Sequence, residues 1–301
     1  MDLALNLLLI FLMSYYPVHC PNSSCSSTLF IKKGFHYVRR LNQKFRKYQC
    51  KVCFRYFSSR TFKADYRHKK MDLNPIFSKL LAEGNSIRGI SRILGLTYYN
   101  TYKKFLWFKN LVAEHKKSLT FSAREIQFDE MESIHHTKCK PLSLVVVLNE
   151  KYQLMSAKVA EIPAKGRLAE FSRKKYGLRK NERIQKLREA FDEVSAQLTN
   201  KPMFIKSDAH PVYRKIVESY FPDCLYRQFS RKSKKDKLRE RMHENLHKKM
   251  YDPIFVVNHK CAVLRDRIKR LVRRNWCTTK KVENLQLHLD LLICLHSGMK
   301  I

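Results

Sequence analysis

Hydrophobic and polar positions repeat with two different periods along this chain. Between residues 71 and 110 the apolar side chains recur every three to four positions, which is typical of amphipathic helices. From Arg124 onward the segments REIQFDEM, KPLSLVVVLN and YQLMSAKVAEI alternate or run continuously apolar, as β-strands do. The pattern therefore predicts a helical region followed by a sheet-forming region.

Further elements follow these three predicted strands. A charged helical stretch at about 166–198 precedes the strand PMFIKSD, a helix at about 211–219, a short strand CLYRQF and a basic segment at 230–249. A long helix at about 253–274 and another at about 281–295 close the chain. Three strands, a helix, a strand, a helix, a short strand and a terminal helix are the order expected of a ribonuclease-H-like domain. We predict an α/β domain of this class over residues 122–296.

The charge of the chain points to a polyanionic partner. Among 301 residues, 61 Lys and Arg against 26 Asp and Glu leave a formal net charge of +35. With 44% hydrophobic residues the chain can bury a core, which excludes a purely disordered basic tail. Nucleic acid is the favoured partner, because neutralising phosphates releases condensed counterions. An anionic membrane surface is the weaker alternative.

The first residues, MDLALNLLLIFLM, are apolar but do not form a typical membrane segment. The run is shorter than the roughly 20 residues that span a bilayer, and it lacks the basic flank of an export signal. We interpret residues 1–17 as a mis-called start, with a short buried or interfacial helix and an export signal as the alternatives. No stable membrane partner is expected, and the predicted location is the cytoplasm of a prokaryote, associated with the nucleoid.

Four cysteines form two close pairs near the start of the chain. Cys20-x4-Cys25 and Cys50-x2-Cys53 offer four thiolates from two knuckles, which suits tetrahedral Zn²⁺ in a segment too small to bury a core. This pattern predicts a zinc ribbon over residues 18–60, with His19 as a possible substitute ligand. The other five cysteines are predicted to be buried small hydrophobic residues in a reducing compartment: Cys139, Cys224, Cys261, Cys277 and Cys294.

The segment SIRGISRILGLTYYNTYKKFLWF has the layout of two short helices joined by a turn. Ile87, Ile90 and Leu94 share one face of the first helix, Gly95 provides the turn, and the second helix starts near Tyr98. Such an arrangement predicts a helix-turn-helix within residues 70–115, whose second helix would enter the major groove of double-stranded DNA. A plain helical hairpin has the same spacing and is the alternative.

Basic residues in three places are candidates for contacts with DNA phosphates. Two lie on the second helix of the predicted helix-turn-helix, and the others lie in basic segments at about 227–249 and 265–281. The candidates are Lys103, Lys104, Lys234, Lys235, Lys237 and Arg265.

Two aspartates stand at strands where metal-dependent chemistry could be built. Asp129 lies in the first predicted strand of the sheet, and Asp208 ends the strand PMFIKSD. Carboxylates on neighbouring strands can hold two Mg²⁺ or Mn²⁺ ions, the arrangement that activates a water or a 3′-hydroxyl for phosphodiester chemistry. A strand-end aspartate with no metal is the ordinary alternative.

Three sequence pieces carry a family resemblance: QFDEMES, IKSDAH and VVNHKCAVLRDRIKRLVRRNWCTTKKVENL. Together with the order of a zinc ribbon, a helix-turn-helix and a catalytic region, they resemble the DDE transposases of bacterial insertion sequences, in the zinc-ribbon, insertion-sequence-one-like group. The resemblance covers about residues 20–295, and the last piece is its most specific part. It implies a ribonuclease-H-fold catalytic domain, divalent metal, and cleavage and strand transfer at the terminal inverted repeats of the element. We expect a homodimer or higher oligomer on DNA.

The third acid of the resemblance is where this chain departs from the family. A Glu in the family completes the metal site, and Asn258 occupies that register, seven residues before Arg265 and so on the same helix face. An amide oxygen can coordinate Mg²⁺ but brings no charge. Glu244, thirty-six residues after Asp208, is the rival ligand. Two hypotheses follow: an active transposase, or a DNA-binding protein with a zinc ribbon and a helix-turn-helix whose catalytic domain has decayed.

Overall fold

The computed structural model describes residues 19–230, 252–272 and 277–299. The chain divides into two compact units, Met1–Asn74 and Pro75–Ile301, and each is described by itself. The predicted apolar segment 1–17 lies outside the described residues, as do four of the predicted site residues: Lys234, Lys235, Lys237 and Glu244.

The first unit contains a three-stranded antiparallel sheet. Its strands are β1 (Phe30–Val38), β2 (Gln43–Cys50) and β3 (Tyr56–Ser58), in the order β1-β2-β3. Tyr48 stacks on its cross-strand partner Phe57 with ring centroids 5.6 Å apart, and Phe30 meets both rings edge-on. The buried cluster of this unit consists of these two stacked rings with Cys20 and Cys50. So small an apolar core favours additional stabilisation by metal.

The second unit begins with three helices, which confirms the predicted helical region. They are α1 (Asn74–Ala82), α2 (Ile87–Ile93) and α3 (Tyr98–Lys117). The hydroxyl of Ser86 accepts a hydrogen bond from the Gly89 N–H at the start of α2 (3.0 Å). The hydroxyl of Thr97 caps α3 in the same way through the Asn100 N–H (3.3 Å).

A five-stranded mixed sheet forms the centre of the second unit, which makes the protein a mixed α/β protein. Its strands are β4 (Glu125–His135), β5 (Thr137–Asn149), β6 (Leu154–Glu161), β7 (Phe204–Asp208) and β8 (Leu225–Phe229). The spatial order is β6-β5-β4-β7-β8. Strands β4, β5 and β6 pair antiparallel, whereas β7 pairs parallel with both β4 and β8. The strands predicted from the hydrophobic pattern are all present.

The helices around this sheet correct two predictions. They are α4 (Leu168–Tyr176), α5 (Arg183–Gln197), α6 (Tyr213–Tyr220), α7 (Phe255–Arg267) and α8 (Val282–His296). The charged stretch at 166–198 is two helices instead of one, because Gly177 ends α4 with a positive φ of 72°. The long helix predicted at 253–274 ends at Arg267, where the buried Ile268 becomes extended and a short 3₁₀ turn follows.

Helices cover both faces of the sheet. Phe128 packs against Phe191 of α5 and Tyr213 of α6, with ring centroids 5.1 and 5.0 Å away. The preceding residue, Gln127, points to the opposite face and bonds to the backbone of α7 at Val257. Because successive side chains of a strand point to opposite faces, α5 and α6 lie on one side of the sheet and α7 on the other.

Polar side chains of α8 connect this helix to the rest of the unit, among them Gln286 and Asp290. The side chain of Gln286 pairs with the outer edge of β6: its Oε1 accepts from Val159 N (3.0 Å), and its Nε2 donates to Ala157 O (2.7 Å). Asp290 forms an ion pair with Lys116 of α3, with 2.6 Å between Lys116 Nζ and Asp290 Oδ1. Among the described residues, every helix is too short or too polar to cross a membrane.

A mostly buried ion-pair network extends from that lysine. Lys116 Nζ lies 2.5 Å from Glu193 on α5, and Lys158 of β6 lies 2.6 Å from the other oxygen of the same carboxylate. Ser156 also donates to Glu193 (2.9 Å). The network therefore ties α3 and α8 to the sheet and to α5.

Candidate functional site

The two predicted cysteine pairs come together in the first unit. One sulfur atom from each of Cys20, Cys25, Cys50 and Cys53 lies within 4.8 Å of all the others. The closest contacts are 3.6 Å between Cys20 and Cys53 and 3.7 Å between Cys25 and Cys50. Tetrahedral Zn²⁺ with Zn–S bonds of about 2.3 Å requires sulfur atoms about 3.8 Å apart. A disulfide needs about 2.05 Å, so the spacing fits a shared metal ion and not two disulfides.

Backbone hydrogen bonds to these sulfur atoms favour the thiolate form. Each sulfur accepts from the N–H two positions further on: Asn22 to Cys20, Ser27 to Cys25, Val52 to Cys50 and Arg55 to Cys53. The Arg55 N–H lowers the pKa of Cys53 to about 6, whereas burial raises the pKa of Cys20 to about 11. A bound cation would favour deprotonation of the remaining thiols. The donor set and its spacing therefore fit a zinc ion.

The two predicted catalytic aspartates lie side by side in the second unit. Strands β4 and β7 run parallel, and their register pairs Gln127 with Lys206 and Phe128 with Ser207. The next positions are Asp129 and Asp208, so the two aspartates directly follow the paired residues on neighbouring strands, which lie about 4.8 Å apart in a sheet. Directly opposed residues share a face, and both side chains are half-buried. This pair of carboxylates is a candidate site for a divalent cation.

Helix α7, which carries Asn258, is held over the same face of the sheet. The buried side chain of Gln127 accepts from Val257 N (3.2 Å) and donates to Pro253 O (3.4 Å). Val257 N is one of the N–H groups that the first turn of a helix leaves without an intrahelical partner. Gln127 therefore fixes the start of α7 two residues before Asp129 on the same strand face.

Asn258 is exposed near the start of α7. Its amide nitrogen donates to Asp252 at 2.8 Å, which engages the nitrogen of Asn258 and not its oxygen. Arg265 lies two turns further along the same helix and is half-buried. Cys261 stands between them and is buried. Burial, and next the negative charge of Asp129, raise the pKa of Cys261 to about 12.

The predictions for the five cysteines outside the four-cysteine cluster are confirmed in part. Cys139, Cys261 and Cys294 are buried, as expected. Cys224 is half-buried, and the prediction for Cys277 is wrong, because this residue is exposed in the segment before α8.

Glu130 is a polar centre that sequence reasoning missed. Its carboxylate, on the sheet face opposite to Asp129, accepts from Ser143 (2.6 Å), Arg183 (2.6 Å) and Tyr213 (2.8 Å). Burial, then the charge of Glu130, raise the pKa of Tyr213. A carboxylate with three donors is structurally satisfied, and its role is to fix α5 and α6 beneath the aspartate strand. Its position among three acidic residues within four positions, Asp129, Glu130 and Glu132, gave no signal of this role.

The outer face of α3 is aromatic and basic. Tyr99, Tyr102 and Lys103 are exposed, and Lys103 Nζ lies 4.5 Å from the centroid of the Tyr99 ring. Lys104, which the sequence analysis assigned to DNA, is instead buried with 4% of its surface exposed. It falls on the inner stripe of α3 next to Phe105, so the prediction for this residue is corrected.

No family model matches the chain, and no curated protein matches it. The functional interpretation therefore depends on the sites themselves.

Proposed function

We propose that this protein is a DNA transposase of the DDE type, which cleaves and transfers the DNA strands at the ends of its own element. The observation that carries the proposal is the register of β4 and β7, which pairs the residues directly before Asp129 and Asp208. Continuing this register puts the two aspartates next to each other on one face of the sheet. Additional support comes from the element order, which agrees with a ribonuclease-H-like domain over residues 122–296. The resemblance to insertion-sequence transposases agrees with both observations.

The chemistry follows from this pair of carboxylates. Mg²⁺ or Mn²⁺ bound there would activate a water or a 3′-hydroxyl and stabilise the leaving oxygen of a phosphodiester. Asp129 and Asp208 would supply the charged oxygen ligands of such an ion, and Asn258 would supply a neutral amide oxygen from α7. Gln127 positions α7 through its two backbone contacts. Arg265, on the same helix face as Asn258, is suited to hold a DNA phosphate.

The remaining parts of the chain would bind DNA. The four-cysteine cluster is proposed to hold structural Zn²⁺ in a zinc ribbon. Helices α2 and α3, joined by a short turn at Gly95, are proposed as a helix-turn-helix in which α3 meets the major groove through Lys103 and its neighbouring tyrosines. The proposed substrate is double-stranded DNA with the terminal inverted repeats, bound by a homodimer or higher oligomer.

The test compares two active-site variants with a matched surface variant. Asp129→Asn and Asp208→Asn each remove one negative charge, as does Asp223→Asn, whose carboxylate is exposed and pairs with Lys201. The substrate is a supercoiled plasmid carrying the DNA that flanks both ends of the gene, with Mg²⁺ or Mn²⁺. Cleavage should be lost in both active-site variants and retained in Asp223→Asn. Mn²⁺ affinity, measured by electron paramagnetic resonance, should fall at least tenfold in the same two variants.

Binding of the plasmid ends should survive in all three variants, because the phosphate contacts lie elsewhere. Equal cleavage by Asp129→Asn and wild type would refute the proposed catalytic site. For the third ligand, Asn258→Glu should preserve or raise activity, since it restores the family's usual charge, and Glu244→Gln should be silent. An inactive Glu244→Gln with a tolerated Asn258→Ala would assign the ligand to Glu244.

A second candidate function is a DNA-binding protein without catalytic activity. The observation that favours it is the neutral Asn258 at the position of the third acid, which lowers the negative charge available to a second metal ion. Wild-type protein that binds the element ends but cleaves them with neither Mg²⁺ nor Mn²⁺ would select this candidate.

A further inference from the structure

A pocket of about 280 Å³ in the second unit lies between α2, the start of α3 and the segment that precedes α8. We call it the basic pocket, because four of its lining residues are cationic: Arg88, Arg270, Lys280 and Lys281. The ring of Tyr98, which is 53% exposed, forms an apolar part of the wall. Neutral donors from Ser86, Thr278 and Asn284 complete the polar lining.

The basic pocket has no counter-charge of its own among the described residues. No carboxylate lines it, and none of its four cations forms an ion pair there. Elsewhere in this unit cations are commonly paired: the nearby Arg267, for example, lies 3.6 Å from Glu83. Like charges that face one cavity repel each other, and an anion in the cavity would offset that repulsion.

The backbone that carries the two lysines is anchored to the sheet. Thr279 is fully buried, its N–H donates to Ile134 O (3.3 Å), and its carbonyl accepts from His136 N (3.0 Å). The following Lys280 is exposed and donates to Thr278 Oγ1 at 3.1 Å. The backbone just before Lys280 and Lys281 is therefore fixed at the end of β4.

Arg270 is oriented by a buried histidine. Its guanidinium donates to His288 Nε2 (2.9 Å), and His288 Nδ1 donates to Leu81 O (2.6 Å). Burial, and next the charge of Arg270, lower the pKa of His288 to about 3, so this ring is neutral and acts as an acceptor. The Arg270 guanidinium and the backbone that carries the two lysines are thus fixed before any ligand arrives, which lowers the entropic cost of binding.

We propose that the basic pocket binds one backbone phosphate of duplex DNA, in continuity with the outer face of α3. Tyr98 lines the pocket and is followed on the same helix by the exposed Tyr99 and Lys103. A duplex that lies along this face would bring one phosphodiester to Arg88 and the lysines, with its sugar against the Tyr98 ring. The inference rests on the proposed DNA-binding function and adds a specific contact that joins α2 and α3 to the segment before α8.

The experiment measures binding of a 20-base-pair duplex as a function of NaCl concentration. The test variant is Lys280→Gln/Lys281→Gln, and the control is Lys174→Gln/Lys180→Gln, which removes the same charge from exposed positions at α4 and just after it. One lost phosphate contact should lower the log-log salt slope by about 0.9, and it should weaken binding about tenfold at 0.1 M salt. The control should leave the slope unchanged.

A third substitution tests whether the pocket binds one phosphate at a discrete site or attracts DNA only through its overall positive charge. Arg88→Gln added to the lysine pair should not lower the slope further, because the one phosphate is already lost. A further decrease of the salt slope with each removed cation, or equal slopes for the test variant and the control, would overturn the inference.

A second measurement follows the binding of inorganic phosphate by ³¹P resonance. If the lysine variant loses phosphate binding but binds the duplex as wild type does, the pocket takes a small anion and the inference is overturned. If one of these contradicting results is found while the protein still cleaves the element ends, the inference about the basic pocket is wrong and the proposed function stands. Wild-type protein that binds no duplex would end both the inference and the proposed function.

Discussion

Replacing Lys116 by Met should destabilise the second unit by about 3 kcal/mol. The Lys116 side chain is 12% exposed, and its partners Glu193 and Asp290 are 13% and 18% exposed, so solvent screens these pairs little. Removing one partner of a buried ion pair costs about 3–5 kcal/mol. The lower figure applies because both carboxylates keep a second partner: Glu193 keeps its ion pair with Lys158, and Asp290 keeps the hydrogen bond from the amide of Gln286. For a unit of this size, about 3 kcal/mol lowers Tm by about 6–12 °C.

The effect should depend on pH in a defined direction. Burial opposes the charge of Lys116, but the carboxylates of Asp290 and Glu193 raise its pKa above 10.5. For Glu193, burial is outweighed by Lys116 and Lys158, which lower its pKa below 4.5. Because its pKa is raised on folding, Lys116 contributes its full stabilisation below pH 10.5. Because its pKa is lowered on folding, Glu193 contributes its full stabilisation above pH 4.5. The difference between wild type and Lys116→Met should therefore be full near pH 7 and should shrink as the pH falls through the pKa of Glu193 in the folded protein.

The assay is urea unfolding followed by circular dichroism at pH 7 and pH 4. Lys201→Met is the matched control, because its ion pair with Asp223 is largely exposed and screened by solvent, so its loss should change the stability little. Adding Asp290→Leu to Lys116→Met should recover part of the lost stability, since it removes the carboxylate left behind. A cost for Lys116→Met as small as that of Lys201→Met would refute the reasoning.

Three further predictions concern the metal cluster, a close backbone contact and the helix that carries Asn258. Purified protein should contain about one zinc per chain, and Cys53→Ser should lose the metal and unfold only the first unit; a metal-free but folded first unit would contradict this. Gly84→Ala should cost about 2–5 kcal/mol in thermal or urea unfolding, because Gly84 has a φ of 71° and a Cβ there would lie 2.9 Å from the backbone of Ile268. Its control, Gly166→Ala, meets no neighbour within 4 Å and should cost about 1–2 kcal/mol, so equal costs would exclude the contact. Gln127→Leu should slow DNA cleavage about tenfold without weakening duplex binding, since it releases α7 while leaving the phosphate contacts; unchanged cleavage would argue against this positioning role.

Local sequence patterns predicted the elements better than their contacts. The strands around Asp129 and Asp208 follow from apolar runs, but their parallel register depends on residues about eighty positions apart, which no local pattern encodes. The link from Gln127 to Val257 spans 130 positions and is more remote still. The approach of Gly84 to the end of α7 could not be read from either segment alone.

Other errors came from signals that were present but not used. The buried residues Thr101, Phe105 and Phe108 recur at helical spacing, and Lys104 falls inside their stripe. The same periodicity places Lys103 outside. For α4 and α5, Gly177 was the available sign that the charged stretch is interrupted.

The contact of Gln286 with β6 has a consequence for self-association. An outer strand normally offers unpaired N–H and C=O groups that a strand from another molecule can extend. At Ala157 and Val159 those groups already bond to one glutamine side chain. A second chain adding there would first have to displace Gln286 from α8, so strand-by-strand aggregation is opposed at this border of the sheet.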